Sequence, residues 1–304
     1  MKTALRPFHV AAALFAAGIA IGTAVDPVPS RAPVYRAGYR VLEADFHAHT
    51  TFSDGMLSPF DVVMQARRRG LDVVAITEHN LVFPARLGAW FSHATSGPTV
   101  VIGEEITTAP FHVIALGLRD RIVSRQPIDD ILDDIDRQGA FAIAAHPVRF
   151  FWPALVRVRG RFGGSELMHP LVYGTGAGGW KWSDMREFWL AAREEGHPLT
   201  AIGSSDYHWF SPLGLCRTLV FANGDDQASV LDALRHGRTV VYDLDGKVYG
   251  DATMVSALAA DPYPMRTQDY GYHGAGRLDR IARTLGFLGL LGMFLLRRRA
   301  ADGA

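Results

Sequence analysis

Residues 41–46 read as a short buried strand, with apolar and polar positions alternating from 42, and the chain then turns polar at His47-Ala48-His49-Thr50-Thr51-Phe52-Ser53-Asp54-Gly55. Extending that period places Asp45, His47 and His49 on one face at the strand's C-terminal end, where two imidazoles can hold one metal ion from one side. Asp54 follows in a Ser-Asp-Gly turn and offers a hard oxygen ligand. A His-x-His alone is commonly an ordinary surface or hydrogen-bonded pair. Its weight here comes from what the later strand ends carry.

Downstream the pattern predicts helices and strands in alternation. Ser58-Pro59-Phe60-Asp61 combines an N-cap, a proline at the first helical position and a capping-box acid. Phe60, Val63, Met64 and Arg67 continue at helical spacing, and Gly70 stops the helix. Residues 72–77 form a second buried strand ending in Glu78-His79-Asn80, and residues 99–103 a third ending in Glu104-Glu105. A turn at 107–110 leads into a strand over 111–117, a hairpin that brings Glu105 and His112 face to face at its mouth. Ile128, Ile131, Leu132 and Ile135 mark an amphipathic helix closed by Gly139, followed by a strand over 141–145 that ends in His146-Pro147. Residues 148–182 are rich in Arg, Gly and aromatics, show no period, and read as a long loop or irregular insertion over the site. Ser183 caps a helix running to residue 195. A strand over 199–203 ends in Ser204-Ser205-Asp206-Tyr207-His208; a strand at 217–222, a helix at 227–236 and a strand at 239–242 finish the domain.

Strands that alternate with helices and each end in an acid or a histidine predict an α/β barrel with its site at the strands' C-terminal ends. The twelve histidines are not scattered. His47, His49, His79, His146 and His208 follow strands directly, and His112 sits at the hairpin mouth. His9, His93, His169, His197, His236 and His273 lack that placement and read as surface or linker residues, with His169 alone placed, in the insertion, to reach a substrate.

Composition narrows the chemistry. With 304 residues, 48% of them hydrophobic, the chain has apolar material for one sizeable core. Its formal net charge of zero argues against nucleic acid as a partner. Lysine occurs only at Lys2, Lys181 and Lys247, so a side-chain cation facing an oxyanion would be an arginine. Cys216 has no partner for an internal disulfide, and its solitude excludes Cys-rich zinc modules; a metal site must be built from His and carboxylates.

The two ends lie outside this pattern. Residues 1–25, with Lys2 and Arg6 ahead of an apolar run, read as a secretory signal with Gly22-Thr23-Ala24 as a cleavage point, or as an uncleaved N-terminal anchor. Residues 26–40, with three prolines, form a linker, residues 41–250 the main folded domain, and residues 251–280 a tail or linker. Residues 281–299 form a short apolar C-terminal helix that ends in Arg297, Arg298 and Arg299. Its apolar part, 284–296, would be about 20 Å long as a helix against a hydrocarbon core of about 30 Å, which leaves a short anchor, a sorting tail or a helix packed on the domain. Positive charge beside both apolar ends favours an inward orientation for each, so the body is expected outside the cytoplasm, periplasmic or membrane-anchored.

Together the strand-end motifs resemble the PHP family, the polymerase and histidinol phosphatase metal-dependent phosphoesterases, over residues 43–209. The likeness rests on His47-x-His49-Thr50 with Ser53-Asp54-Gly55; on Ile76-Thr77-Glu78-His79-Asn80, where the family more often has Asp before the His; on Gly103-Glu104-Glu105; on Ala145-His146-Pro147; and on Ser205-Asp206-x-His208. A looser likeness joins residues 231–239 to the ending of a subgroup that includes carbamate hydrolases. The resemblance implies an α/β fold of the distorted (β/α)7 TIM-like barrel type, with two to three divalent metal ions. Matched position by position, the first ion would take His47, His49, Glu105 and Asp206. The second would share Glu105 and add His112 and His146, and the third would take Asp54, His79 and His208. Glu104, one residue before Glu105 on a strand, points the other way and reads as a rim or packing carboxylate. Catalysis would then rest on His47, His49, Glu105, Asp206 and His208, with the ions zinc, manganese or iron.

Such ions make hydroxide available near neutral pH and neutralise charge developing on a phosphoryl group, so no serine or cysteine nucleophile is needed. Arg149, three residues after His146, and Arg217 are the candidate substrate contacts, each equally readable as a surface or barrel salt-bridge arginine. The leading expectation is an exported phosphoesterase acting on mono- or diesters of a small molecule or lipid headgroup, with membrane association through either end. A carbamate, amide or other ester hydrolase using the same cluster stands as an alternative, and so does a non-catalytic, metal-stabilised envelope module.

Overall fold

The computed structural model describes residues 5–24, 32–170, 180–209, 211–264 and 277–302. Contacts divide the chain into two compact units, Pro29–Asp269 and a smaller one made of Met1–Val28 with Tyr270–Ala304.

The larger unit is built on one eleven-stranded sheet curled into a nearly closed barrel. Strands β2 (Tyr39–Asp45), β3 (Val73–Ile76) and β4 (Thr99–Thr107) run parallel. Strand β5 (His112–Leu116) returns antiparallel between β4 and β6 (Phe141–Ala144), and β7 (Gly164–Met168) and β8 (Thr200–Gly203) continue parallel to β6. On the other flank β9 (Thr218–Ala222) pairs antiparallel with β2, followed by β10 (Thr239–Tyr242) and β11 (Val248–Gly250); β1 (Val34–Arg36) adds to β2. Gly203 lies so close to Arg217 that a Cβ would sit 2.6 Å from its carbonyl oxygen, and the Gly203 amide donates to Thr218 Oγ1 at 2.8 Å. Only glycine allows β8 to approach the start of β9 this closely.

Alternation sorts the side chains. Leu42, Ala44 and Phe46 join Val73, Ala75, Val101, Ile114, Ile143, Ile202 and Val220 in one buried cluster. Val230, Leu231, Ala233 and Leu234 of a helix over Gln227–Arg235 close the same cluster. Residues of the opposite phase pack outward on helices. The helix Ile128–Arg137 lays Ile128, Ile131, Leu132 and Ile135 on the wall, the apolar stripe its 3.6-residue period predicts. The helix Pro59–Arg68 starts as its sequence requires: Asp61 N donates to Ser58 Oγ and Ser58 N to Asp61 Oδ2, a closed capping box.

Several expectations need correction. Residues 148–182 are not one irregular insertion. They contain a short helix (Trp152–Leu155), a 3-10 turn (Val156–Arg161), β7 and the start of the helix Trp182–Glu194, while 171–179 lie outside the described residues. Strand β4 does not end at 103 but runs through Glu104 and Glu105 to Thr107, because Glu105 pairs with Ile114 and Thr107 with His112. A helix over Phe83–Ala94 was not anticipated; Val82 caps it with no side-chain hydrogen bond, so Pro84 in its first turn starts it without an N-cap residue. The described part of the 26–40 linker holds β1 and the start of β2. In the 251–280 tail, a helix over Ala252–Ala260 seats Met254 and Leu258 on Val41, Phe221 and Val240. Residues 25–31 and 265–276 lie outside the described residues.

In the smaller unit, helix Leu5–Ala24 and helix Arg277–Asp302 run antiparallel. A Cβ on Gly18 would lie 2.4 Å from the Gly286 amide nitrogen, and one on Gly289 2.4 Å from that of Phe15, so glycine sets the spacing of the pair. Small residues (Ala11, Gly18, Ala282, Gly289) occupy the seam, whereas Phe8, Ile19, Phe287, Leu288 and Phe294 are exposed. Among the described residues no helix is long and apolar enough to cross a membrane.

Candidate metal centre

Strands β2, β3, β4, β6, β7 and β8 all deliver their C-terminal ends to one mouth of the barrel, and β5, running the other way, delivers its first residue there. Nine side chains expected from the sequence converge at that mouth: His47, His49, Asp54, His79, Glu105, His112, His146, Asp206 and His208.

Glu105 is the hinge of the cluster. Its Oε1 lies 2.8 Å from His112 Nδ1, 3.1 Å from His146 Nε2 and 3.6 Å from His47 Nε2. Its Oε2 lies 2.7 Å from His79 Nδ1 and 3.6 Å from His49 Nε2. One carboxylate therefore addresses two groups of imidazoles with separate oxygens. On the far side Asp206 Oδ1 is 3.2 Å from Nε2 of both His47 and His49, whose facing nitrogens are 3.0 Å apart. Asp54 Oδ2 is 3.3 Å from Nε2 of His79 and of His208. His49 also turns Nδ1 toward Asp54, at 3.9 Å, and so joins the Asp54–His79–His208 group as well as the group expected for it.

This arrangement fits cations. Asp206 Oδ1, His49 Nδ1 and His146 Nδ1 are buried without a hydrogen-bond partner, a costly condition that a metal ion relieves. Burial alone would lower the His47 pKa, but Asp206, Glu166 and Glu105 together hold it well above its ordinary value. Burial would likewise raise Glu105 and Asp206, yet the histidines keep both well below the usual carboxylate range. Burial pushes His49 down to about 4, so its imidazole is neutral and ligating at pH 7. Buried carboxylates that stay ionised only through positive charge on neighbouring histidines such as His47 call for a cation, and the mixed His/carboxylate donor set is one that divalent zinc, manganese and iron all accept.

The backbone is bent to make this possible. His146 (φ 24°), Asp206 (φ 42°) and Asn80 (φ 56°) hold positive φ without being glycine, the kind of strain that clusters at functional sites. At Gly55 a Cβ would fall 2.4 Å from the carbonyl carbon and oxygen of His49, so only glycine lets the Asp54 loop fold back onto the first strand end. Glu78 accepts from the Thr50 amide at 2.5 Å and from Ser53 Oγ, which fastens the same loop.

Residues around the nine do work that the sequence did not announce. Glu166 on β7 sits 2.9 Å from His47 Nδ1 and 2.5 Å from the His146 amide, and it accepts from Ser204 Oγ. Burial would raise its pKa, but His47 holds it down at about 2. His169, expected at the surface, is 2% exposed and places Nε2 3.0 Å from Asp206 Oδ2. Neither contact was legible, although the sequence does place His169 to reach a substrate: a five-residue strand opening Gly-Ser inside an aperiodic stretch gave no period to read. Asp45, expected to share a face with the two histidines, does not. The strand ends at Asp45, whose carboxylate accepts from the amides of Ser205 (3.0 Å) and Gly214 (2.7 Å) and braces the Asp206 loop instead.

The structure does not bring the two candidate substrate arginines to the cluster. Arg217 is buried, bonded to the fully buried Glu43 and to the carbonyls of Gly214 and Arg69, because a carboxylate at that depth needs a paired cation. Arg149 pairs with Glu187 and with Asp184 at 3.5 Å, and its guanidinium lies 4.3 Å above Trp152. Glu104, by contrast, points away from the cluster as expected and accepts from the Ile122 amide at 2.5 Å.

No family model matches the chain. An uncharacterized protein of Methanocaldococcus jannaschii is 33% identical over 119 residues, which cover 35% of this chain and 68% of that one. Among solved structures, the chain is similar to a two-domain protein of Bacteroides vulgatus containing a predicted PHP-like metal-dependent phosphoesterase. The TM-score is 0.64 at 24% identity, over 77% of this chain and 74% of that one. An amidohydrolase of Chromobacterium violaceum with bound sulfate and no metal matches with TM-score 0.41 at 17% identity, over 56% and 89% of the two chains.

Proposed function

We propose that this chain is a PHP-type metal-dependent hydrolase and that it hydrolyses phosphoesters at the nine-residue cluster. The observation that carries this reading is Glu105, one buried carboxylate whose two oxygens serve two sets of imidazoles, as adjacent divalent ions require. His47, His49 and Asp206 would hold one ion with Glu105, His112 and His146 a second, and Asp54, His79 and His208 a third. Bound there, two or three such ions would supply Lewis acidity and a water whose pKa lies near neutrality. The protein's own part is orientation. Glu166 and His169 fix the faces that His47 and Asp206 present, and Glu78 holds the Asp54 loop. His79, His112 and His208 are the partly exposed histidines of the cluster, so an entering phosphoryl group would meet them first.

We further propose that the domain works outside the cytoplasm, held at a membrane through its terminal helices. Two features support this. Large apolar side chains face outward from a seam of small ones, and the antiparallel pairing sets Arg6 at the same end as Arg297, Arg298 and Arg299. Alkaline phosphatase fused after Gly250 should be active, and a reporter that fluoresces only in the cytoplasm should be dark; the reverse would remove export.

The activity is tested on purified protein loaded in turn with zinc, manganese and iron, against phosphomonoesters, phosphodiesters and aryl carbamates. Phosphate release or diester cleavage is expected. Carbamate turnover alone would make the alternative hydrolase the correct reading, and bound metal without turnover of any class would leave a binding module.

A further inference from the structure

Large apolar side chains stand exposed beside the metal ligands on several separate loops. Phe52 lies between His49 and Asp54, Met56 just after Asp54, Phe83 four residues past His79, Phe150 four past His146, and Trp209 next to His208. All five are between 47% and 71% exposed. They come from four different strand ends, so no local sequence bias accounts for their meeting.

Two arcs result. In one, Phe52 meets Phe83 edge-on at 6.1 Å, and the Met56 amide donates to the His208 carbonyl at 2.9 Å, which ties this loop to the loop carrying Trp209. In the other, Phe150 meets Phe151 at 5.1 Å, and the Phe151 ring lies 4.9 Å from that of His112 and 5.7 Å from that of His146. Trp180 extends this wall, 5.2 Å from His146. In this second arc the buried Phe151 ring, 3% exposed, links the exposed Phe150 to the ligand imidazoles. A phosphoryl group gains nothing from such a wall, and exposed apolar surface around a polar pocket marks a site that something apolar covers.

We propose that this rim binds the organic group of the substrate, so that the enzyme acts on phosphoesters bearing a large apolar alkyl, acyl or aryl group. The inference rests on the phosphoesterase reading, but it is measured without turnover, because a phosphonate has no ester bond to hydrolyse. Calorimetry on the metal-loaded full chain compares octylphosphonate with ethylphosphonate. Each fully buried methylene is worth about four-fold in affinity, so six half-buried ones should tighten binding by about 60-fold. Phe83→Ser combined with Phe150→Ser, one from each arc and neither in the core, should bring that ratio below about five-fold. Phenylphosphonate against hexylphosphonate, equal in carbon count, tells an aryl from an alkyl source, and either one exceeding ethylphosphonate ten-fold supports the rim.

A ratio near one in the wild-type chain overturns the proposal, as does a ratio that survives the double substitution or a failure of both phosphonates to bind. Should the ratio be near one while the double variant stops floating with phospholipid vesicles, the rim is a bilayer contact and the substrate assignment is wrong. Preferential octylphosphonate binding without phosphate release from any ester would instead remove the activity and leave the rim.

Discussion

Glu166 Oε1 lies 2.9 Å from Nδ1 of His47, and the same carboxylate accepts the backbone amide of His146. An ionised acceptor on Nδ1 fixes the tautomer that leaves Nε2 free toward Glu105 and Asp206. Glu166→Gln keeps the shape but weakens the acceptor and can turn the wrong group to the ring. We expect metal affinity and kcat to fall together by about 10- to 100-fold. Metal titration of the variant checks this, and unchanged affinity would show Glu166 to be a packing residue.

Glu105 and Glu104 are adjacent and should behave oppositely. Glu105→Gln removes the charge shared by both imidazole sets and should abolish activity, as should His47→Ala or Asp206→Ala, with the domain still folded. Glu104 accepts from the Ile122 amide and faces away from the cluster, so Glu104→Gln should change turnover by less than about three-fold. The reverse ranking in a rate assay would mean that the wrong glutamate had been assigned.

Glu104 also predicts a pH effect on stability. Burial raises its pKa from 4.5 to about 7, although the Ile122 amide opposes the shift. The folded chain then holds this proton more tightly than the unfolded chain. The stabilisation is full below the unfolded value and declines as pH rises toward 7, by up to about 3 kcal/mol. Urea midpoints of Glu104→Gln minus wild type, taken from pH 5 to pH 8, should move in favour of the variant as pH rises. A flat difference would contradict it.

Gly55→Ala should damage the site more than the fold. The added methyl meets the His49 carbonyl at 2.4 Å, so either His49 or the Asp54 loop must move. Activity should drop at least about ten-fold, with a stability loss of about 1–2 kcal/mol. Steady-state kinetics alongside thermal melts separate the two effects.

Cys216 is 4% exposed, and burial, reinforced by Asp45 and Glu166, pushes its thiol well above the ordinary range. A thiol reagent at pH 8 should leave the native chain unlabelled and react fully in guanidinium. Labelling of the folded protein at a rate near that of free thiol would place Cys216 in the open.

The sequence by itself determined the barrel and the histidines and acids at its strand ends, and the resemblance to the PHP family picked out the nine cluster residues. The first two follow from local signals: a two-residue or 3.6-residue period, a cap or glycine stop, and a histidine or acid immediately after an apolar run. What needed the tertiary structure was every role that depends on a partner far along the chain. Glu166 serves His47 across 119 residues, Asp45 braces Ser205 across 160, and Arg217 neutralises Glu43 across 174, which is why its charge is spent in the barrel wall. The apolar rim is of the same kind, since Phe52, Phe83, Phe150 and Trp209 are ordinary loop residues until the barrel closes and brings their loops to one mouth. Periodicity is a property of neighbours in sequence; the pairing of a buried charge is a property of neighbours in space, and only the closed sheet decides those.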